Sequence, residues 1–131
     1  MSQDPGSSSG GLEGPFWVLL VQRDAPDVLY EAAAMTAAAV SLGVDVTLVW
    51  FDRALDLLAA GRLEGEAAEV ASAGRLFAEA RETGRVRMLA CSASMVGGKE
   101  PPEAVRQRVD GIVGWPTTVS LIRRAERAFI W

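Results

Sequence analysis

Short apolar runs alternate along this chain with segments whose apolar residues recur at helical spacing. The first run, FWVLLV at Phe16–Val21, is unbroken, and the second, over residues 44–50, is interrupted by Asp45 and Thr47. An unbroken apolar run of this length is typical of a strand that is covered on both faces, as in a parallel sheet. The helical segment between them stops at Gly43, and glycine favours the C-terminal end of a helix. We therefore expect the chain to open with a β-α-β unit.

The same alternation continues to the last residue. Further strands are predicted over residues 86–90, 111–113 and 128–131, and helices over residues 24–42, 51–60, 66–83, 101–109 and 117–126. Right-handed crossovers between such elements give an α/β fold, a three-layer α/β/α, doubly wound, five-stranded, mainly parallel sheet with helices on both faces. Residues 1–14 are rich in Gly and Ser and are predicted to form a disordered tail, so residues 15–131 make up a single domain.

Composition excludes several classes of function. The net charge of −4, with no long block of Lys or Arg, gives no basic surface for nucleic acid or for an anionic membrane. The chain has no His and a single Cys, so an internal disulfide, the usual zinc sets and histidine-based triads lack the residues they need. No stretch has the length of a membrane span, and the start lacks the pattern of a secretory signal, which predicts a cytoplasmic protein.

Ligands of open parallel sheets bind beyond the carboxyl ends of the strands, so the loops that follow the strands hold the candidate site. The chain has neither a dinucleotide-binding glycine fingerprint nor a P-loop sequence, and no cofactor is predicted. After the second strand, Asp52 and Arg53 are more typical of a helix cap and a solvated charge than of a catalytic pair.

The loop after the third strand carries the candidate chemistry. Cys91 leaves the strand toward the backbone N–H groups of the following turn, whose positive partial charge favours a thiolate. The hydroxyls of Ser92 and Ser94 and the ammonium group of Lys99 add hydrogen bonds or charge. The alternative is that Cys91 is a small buried hydrophobic residue, because free Cys is among the most buried residue types.

Spacing narrows the chemistry of this thiol. A CxxC pair is absent because Ser94 stands in the second position, and a phosphatase-like CxxxxxR loop is absent because Gly97 stands in place of the arginine. A dithiol reductase or a tyrosine phosphatase is therefore not expected. What remains is a thiol acting alone, which carries a group or exchanges with the thiol of a partner.

The loop after the fourth strand is predicted to be a turn that opens a helix. Gly114 permits unusual dihedral angles, Pro116 suits the first turn, and Thr117 and Thr118 offer hydroxyls to cap it. Trp115 is either packed over the neighbouring loop, as a wall beside Cys91, or exposed for a partner.

Three segments resemble the DsrE/DsrF-like family of sulfur-relay proteins. They are VTLVWFDRALDLL at 46–58, VRMLACSASMVGG at 86–98 and GIVGWPTTVSLIRRAERAFIW at 111–131, and the likeness extends over residues 16–131. The resemblance implies a DsrE-like, flavodoxin-like sheet, assembly into trimers or hexamers, and a cysteine that accepts sulfane sulfur as a persulfide and passes it on. Cys91 matches the position of that cysteine.

Two hypotheses about function follow. In the first, the protein is a sulfur carrier or is sulfurtransferase-like, and exchanges sulfur with a donor and an acceptor protein. Cys91 then holds the persulfide, the backbone N–H groups of residues Ser92 to Met95 stabilise its anion, and Lys99 steers it, which requires an exposed thiol that ionises readily. In the second, the protein is a non-catalytic binding or assembly module with a buried, structural Cys91, and the crevice beside Trp115 holds a small ligand or a partner segment.

Oligomerisation is predicted independently of the resemblance. Four Trp and four Phe, with Trp131 at the very C-terminus, are more large apolar groups than the core of one small sheet is expected to absorb. We therefore predict a homo-oligomer, or a heteromer with related subunits.

Overall fold

The computed structural model describes residues 14–65 and 68–131. In chain order the elements are β1 (Phe16–Val21), α1 (Pro26–Ser41), β2 (Asp45–Trp50), α2 (Asp52–Ala59), α3 (Ala68–Glu82), β3 (Val86–Cys91), α4 (Ser92–Val96), α5 (Pro102–Arg106), β4 (Gly111–Val113), α6 (Trp115–Arg124) and β5 (Arg127–Ile130). The predicted tail lies outside these residues except for Gly14, which is exposed.

The five strands form one sheet in the order β4-β3-β2-β1-β5, and every neighbouring pair is parallel. Because β1 lies inside the sheet and the chain returns to pair β5 beside it, the connections cover both faces. This confirms the predicted three-layer α/β/α fold with a five-stranded parallel sheet.

The two faces of the sheet are covered unequally. We call the one packed against α1, α2, α3 and α5 the first face; its core includes Leu19, Leu48, Trp50 and Phe77. The opposite face, which we call the α6 face, has a smaller core that α6 alone covers. Leu121 is the buried side chain that α6 contributes to this core. One helix of ten residues therefore determines what is accessible on that side.

Boundaries differ from the predicted ones where local hydrogen bonds override the sequence pattern. The segment after β3, predicted as a loop, begins with the short helix α4, and α5 is shorter than expected. The last helix begins at Trp115 rather than at Thr117, because Thr118 bonds back to the carbonyl of Gly114 through its backbone N–H and its hydroxyl. The predicted start of α3 near Glu66 lies outside the described residues.

Several glycines are required by the backbone, and two of them show the two different reasons. Gly43 ends α1 with φ of 84°, in the left-handed region, as the sequence predicts. Gly74 allows α3 to approach the turn after α2, since a Cβ at this position would overlap the carbonyl oxygen of Leu63.

None of the helices in residues 14–65 and 68–131 combines the length and the apolar character that a membrane crossing needs.

Candidate functional site

The candidate site lies at the carboxyl edge of the sheet, where β2, β3 and β4 end. Cys91 is the last residue of β3 and pairs with Val113 of β4. Side chains alternate along a strand, so Leu89 and Cys91 both point to the α6 face. Helix α6 crosses this face, and the free thiol is fully buried, with an exposed fraction of 0%.

The surroundings of the thiol are apolar. The core of the α6 face contains Cys91 together with Val49, Phe51 and Leu121. A thiol packs in such surroundings as a small hydrophobic group with a weak S–H donor. This burial corresponds to the second hypothesis, whereas the sulfur-carrier hypothesis expects an exposed thiol.

Trp115 covers the end of this core. Its ring stacks on that of Phe51, with centroids 5.2 Å apart and an interplanar angle of 29°, while 54% of its surface stays exposed. The sequence alternatives for Trp115 are therefore both partly realised, because one side of the ring packs on a core residue and the other faces outward. Thr117, also a candidate binding residue, is exposed in the first turn of α6.

The two serines after Cys91 lie at the rim. The exposed Ser92 brings its hydroxyl close to Gly114, at the start of α6. Ser94 donates to Asp52 across 3.2 Å. Asp52 is not the helix cap that the sequence predicts: it is the first residue of α2, with φ of 48°, and its carboxylate instead ties α2 to α4.

The remaining candidate residues lie on the other side of the sheet. Met95 is half-buried and packs against the core of the first face. The backbone N–H of Lys99 donates to Asp56 of α2 across 3.0 Å. Since α2 covers the first face and the Cys91 thiol points to the α6 face, the structure separates Lys99 and Met95 from Cys91.

Lys99 instead helps to line a charged cleft of about 460 Å³, which also contains Asp24, Arg53, Asp56, Arg62 and Glu100. Three cationic and three anionic side chains leave this cleft without net charge. In the described part of the chain, no grouping of His, Cys, Asp and Glu is suited to hold a metal ion.

Two important residues were not predicted from the sequence. Phe51 continues the alternation of β2 by one residue, and this period could have placed its side chain on the α6 face. Asp110 accepts from the backbone N–H of Met88 across 2.8 Å and from Arg81 across 2.9 Å, while its own N–H donates to the Met88 carbonyl. Asp110 thereby provides hydrogen-bond partners for the backbone N–H and carbonyl of Met88, one residue before the pairing of β3 with β4 begins. No local sequence pattern indicates this role.

Arg87 of β3 also lies on the α6 face, because it alternates with Met88 of the first face. Burial lowers the pKa of its guanidinium group, the positive charge of Arg124 acts in the same direction, and the negative charge of Asp110 opposes both. Arg87 therefore lies within reach of the charges of both Asp110 and Arg124.

Comparison with known proteins gives a fold. The chain is similar to the crystal structure of the ychN protein from E. coli, with a TM-score of 0.63 over 90% of this chain and 100% of that one, at 13% sequence identity. No protein-family model matches the sequence, and no curated protein does. At this identity the likeness establishes the architecture, and it agrees with the three-layer α/β/α fold expected from the sequence.

Proposed function

We propose that this protein is a DsrE-like assembly module, which acts by binding copies of itself or related subunits through the surface of α6. The observation that carries the proposal is the complete burial of Cys91 under α6, together with the exposure of apolar side chains on α6 itself. The only thiol of the chain is used in packing, and the exposed apolar side chains of α6 above it form the surface that we propose a partner covers.

The exposed apolar groups on this side support assembly. Val119 is 50% exposed and Ile130 of β5 is 67% exposed, and Trp115 is also half-exposed. Ile130 belongs to the α6 side of the sheet, since the neighbouring Phe129 packs with Trp17 on the first face. Exposed apolar groups that share one side of a small protein are typical of an interaction surface.

A sulfur relay is the second candidate, and one observation favours it. Cys91 is the last residue of β3, and the next residue, Ser92, is already exposed, so a small displacement of α6 would open the thiol. A thiolate at this position would take sulfur from a persulfide donor by forming a new S–S bond, while the S–S bond of the donor breaks and the donor leaves as a thiolate.

One experiment separates the two candidates. The native protein is incubated with a polysulfide donor and analysed by mass spectrometry, with the urea-unfolded protein as a positive control for thiol reactivity. An assembly module gains one sulfur only when unfolded. A rapid gain in the native state, lost in Cys91→Ser, would establish the sulfur carrier and overturn the proposal of a structural thiol.

The assembly itself is measured by sedimentation velocity at micromolar concentration. The proposal expects a species larger than a monomer for this chain alone or mixed with a related subunit. Sedimentation as a monomer in both experiments would remove it.

A further inference from the structure

Helix α6 presents a basic and apolar outer face. Its residues Pro116, Val119, Ser120, Arg123 and Arg124 line a shallow depression of about 290 Å³. The apolar groups come from the first two turns and the two guanidinium groups from the last turn. A partner for this face must therefore supply an apolar or aromatic group beside negative charge.

The positive charge of this face is not neutralised within the described residues. Their ion pairs involve Arg81, Arg85 and Arg108, and leave Arg123 and Arg124 free. Both arginines are exposed at the end of α6, and α6 itself carries no Asp or Glu. Since the whole chain carries a net charge of −4, this basic region stands out on an otherwise acidic protein.

Helix α1 carries the complementary surface. Asp27, Tyr30 and Glu31 are exposed and follow one another at the i, i+3 and i+4 spacing that places side chains on one face of a helix. Tyr30 is 50% exposed, and neither carboxylate takes part in an ion pair of the described residues. An exposed aromatic ring flanked by two negative charges is the chemistry that the outer face of α6 needs.

We propose that α6 of one copy docks on α1 of the next copy, so that Arg123 and Arg124 face Asp27 and Glu31 while Tyr30 lies against Val119. This proposal rests on the proposed function and names its interface. The two helices cover opposite faces of the sheet, so the contact is heterologous, and repetition closes a ring or extends a filament. A symmetric contact between two α6 helices is disfavoured, because α6 carries no Asp or Glu and would leave Arg123 and Arg124 of both copies without an anionic partner.

The test uses charge reversal in the full chain. One variant carries Arg123→Glu and Arg124→Glu, and a second carries Asp27→Lys and Glu31→Lys. A control carries Glu79→Lys and Glu82→Lys, both on the exposed surface of α3. These two substitutions change the net charge as much as those of the second variant do. Circular dichroism confirms that each variant is folded, and sedimentation velocity at low salt gives its oligomeric state.

Each of the first two variants is expected to raise the apparent dissociation constant about tenfold or more, whereas the control assembles like the wild type. A variant that carries all four substitutions in one chain is expected to assemble again, because its reversed α6 then meets a reversed α1 at every contact, whatever the number of copies in the ring. A heterologous contact requires this rescue.

The outcomes distinguish the interface from the function. A wild-type oligomer that neither variant disrupts, or a variant with all four substitutions that fails to assemble, would overturn the α6–α1 contact and leave the assembly module standing. A wild-type chain that stays monomeric, alone and with related subunits, would overturn both.

Discussion

Substitution of Cys91 tests most directly whether the thiol is structural. Cys91→Ala removes one sulfur atom from a fully buried position, a loss similar to that of a single buried methylene, so we expect a cost of about 1 kcal/mol in the free energy of unfolding. Cys91→Ser keeps the shape but places a hydroxyl among apolar side chains, which costs about 2 kcal/mol when no partner accepts its hydrogen bond. The predicted order of stability is wild type, then alanine, then serine.

The assay is urea denaturation followed by tryptophan fluorescence and by circular dichroism, with the free energies extrapolated to water. An exposed cysteine would give a different result, because surface substitutions usually change stability by less than about 0.5 kcal/mol and serine would then equal alanine. A Cys91→Ser variant at least as stable as Cys91→Ala would refute the packing argument and favour the sulfur relay over the assembly module.

Three further predictions concern the fold, and the same denaturation experiment checks each of them. Asp110→Ala is expected to cost about 2 kcal/mol because it leaves the backbone N–H of Met88 in β3 without a hydrogen-bond acceptor. Asp45→Ala breaks only a surface ion pair and is expected to cost less than about 1 kcal/mol; equal costs would contradict this. Gly74→Ala is expected to cost more than about 3 kcal/mol because its methyl group overlaps a backbone carbonyl, whereas Gly97→Ala, with open space around it, stays within about 1 kcal/mol of the wild type. Trp50→Phe is expected to cost about 2 kcal/mol, because the smaller ring leaves a cavity at a fully buried position while the indole N–H has no partner among the described residues to lose; a cost above about 4 kcal/mol would contradict this and indicate a bound water.

Most of the fold follows from periodicity because the three central strands, β1, β2 and β3, are buried on both faces. The run Phe16–Val21 has no polar interruption, which is typical of a central parallel strand. Strand β4 was also predicted, although it has three residues, because it stands between two helical patterns. Helix ends were placed less well, since Thr118 fixes the start of α6 through bonds to Gly114 that no propensity describes.

The candidate site was only partly predictable. Sequence placed Cys91 at the end of a strand but could not decide on which face its side chain lies or what covers it. That depends on the path of α6 across the sheet, a contact between residues about thirty positions apart. Lys99 shows the same limit, because its closeness to Cys91 in sequence suggested one site, while the short helix α4 carries the chain to the other face.

Burial of the thiol and the proposed docking of α6 involve the same helix, which covers Cys91 on its inner side and carries Val119 and Arg123 on its outer side. A partner that binds α6 only while α6 covers Cys91 stabilises that closed conformation by mass action.

Alkylation of Cys91 in the native state requires local opening, so it is expected to slow as the protein concentration rises through the range in which the chain assembles. The rate is measured with iodoacetamide in the wild type and in the variant with Arg123→Glu and Arg124→Glu. A wild-type rate that falls with concentration, beside a constant rate in the variant, identifies α6 as the element that links assembly to thiol access. Equal, concentration-independent rates in the two proteins, over concentrations at which sedimentation shows that the wild type assembles, would show that the thiol opens by a motion that α6 does not control.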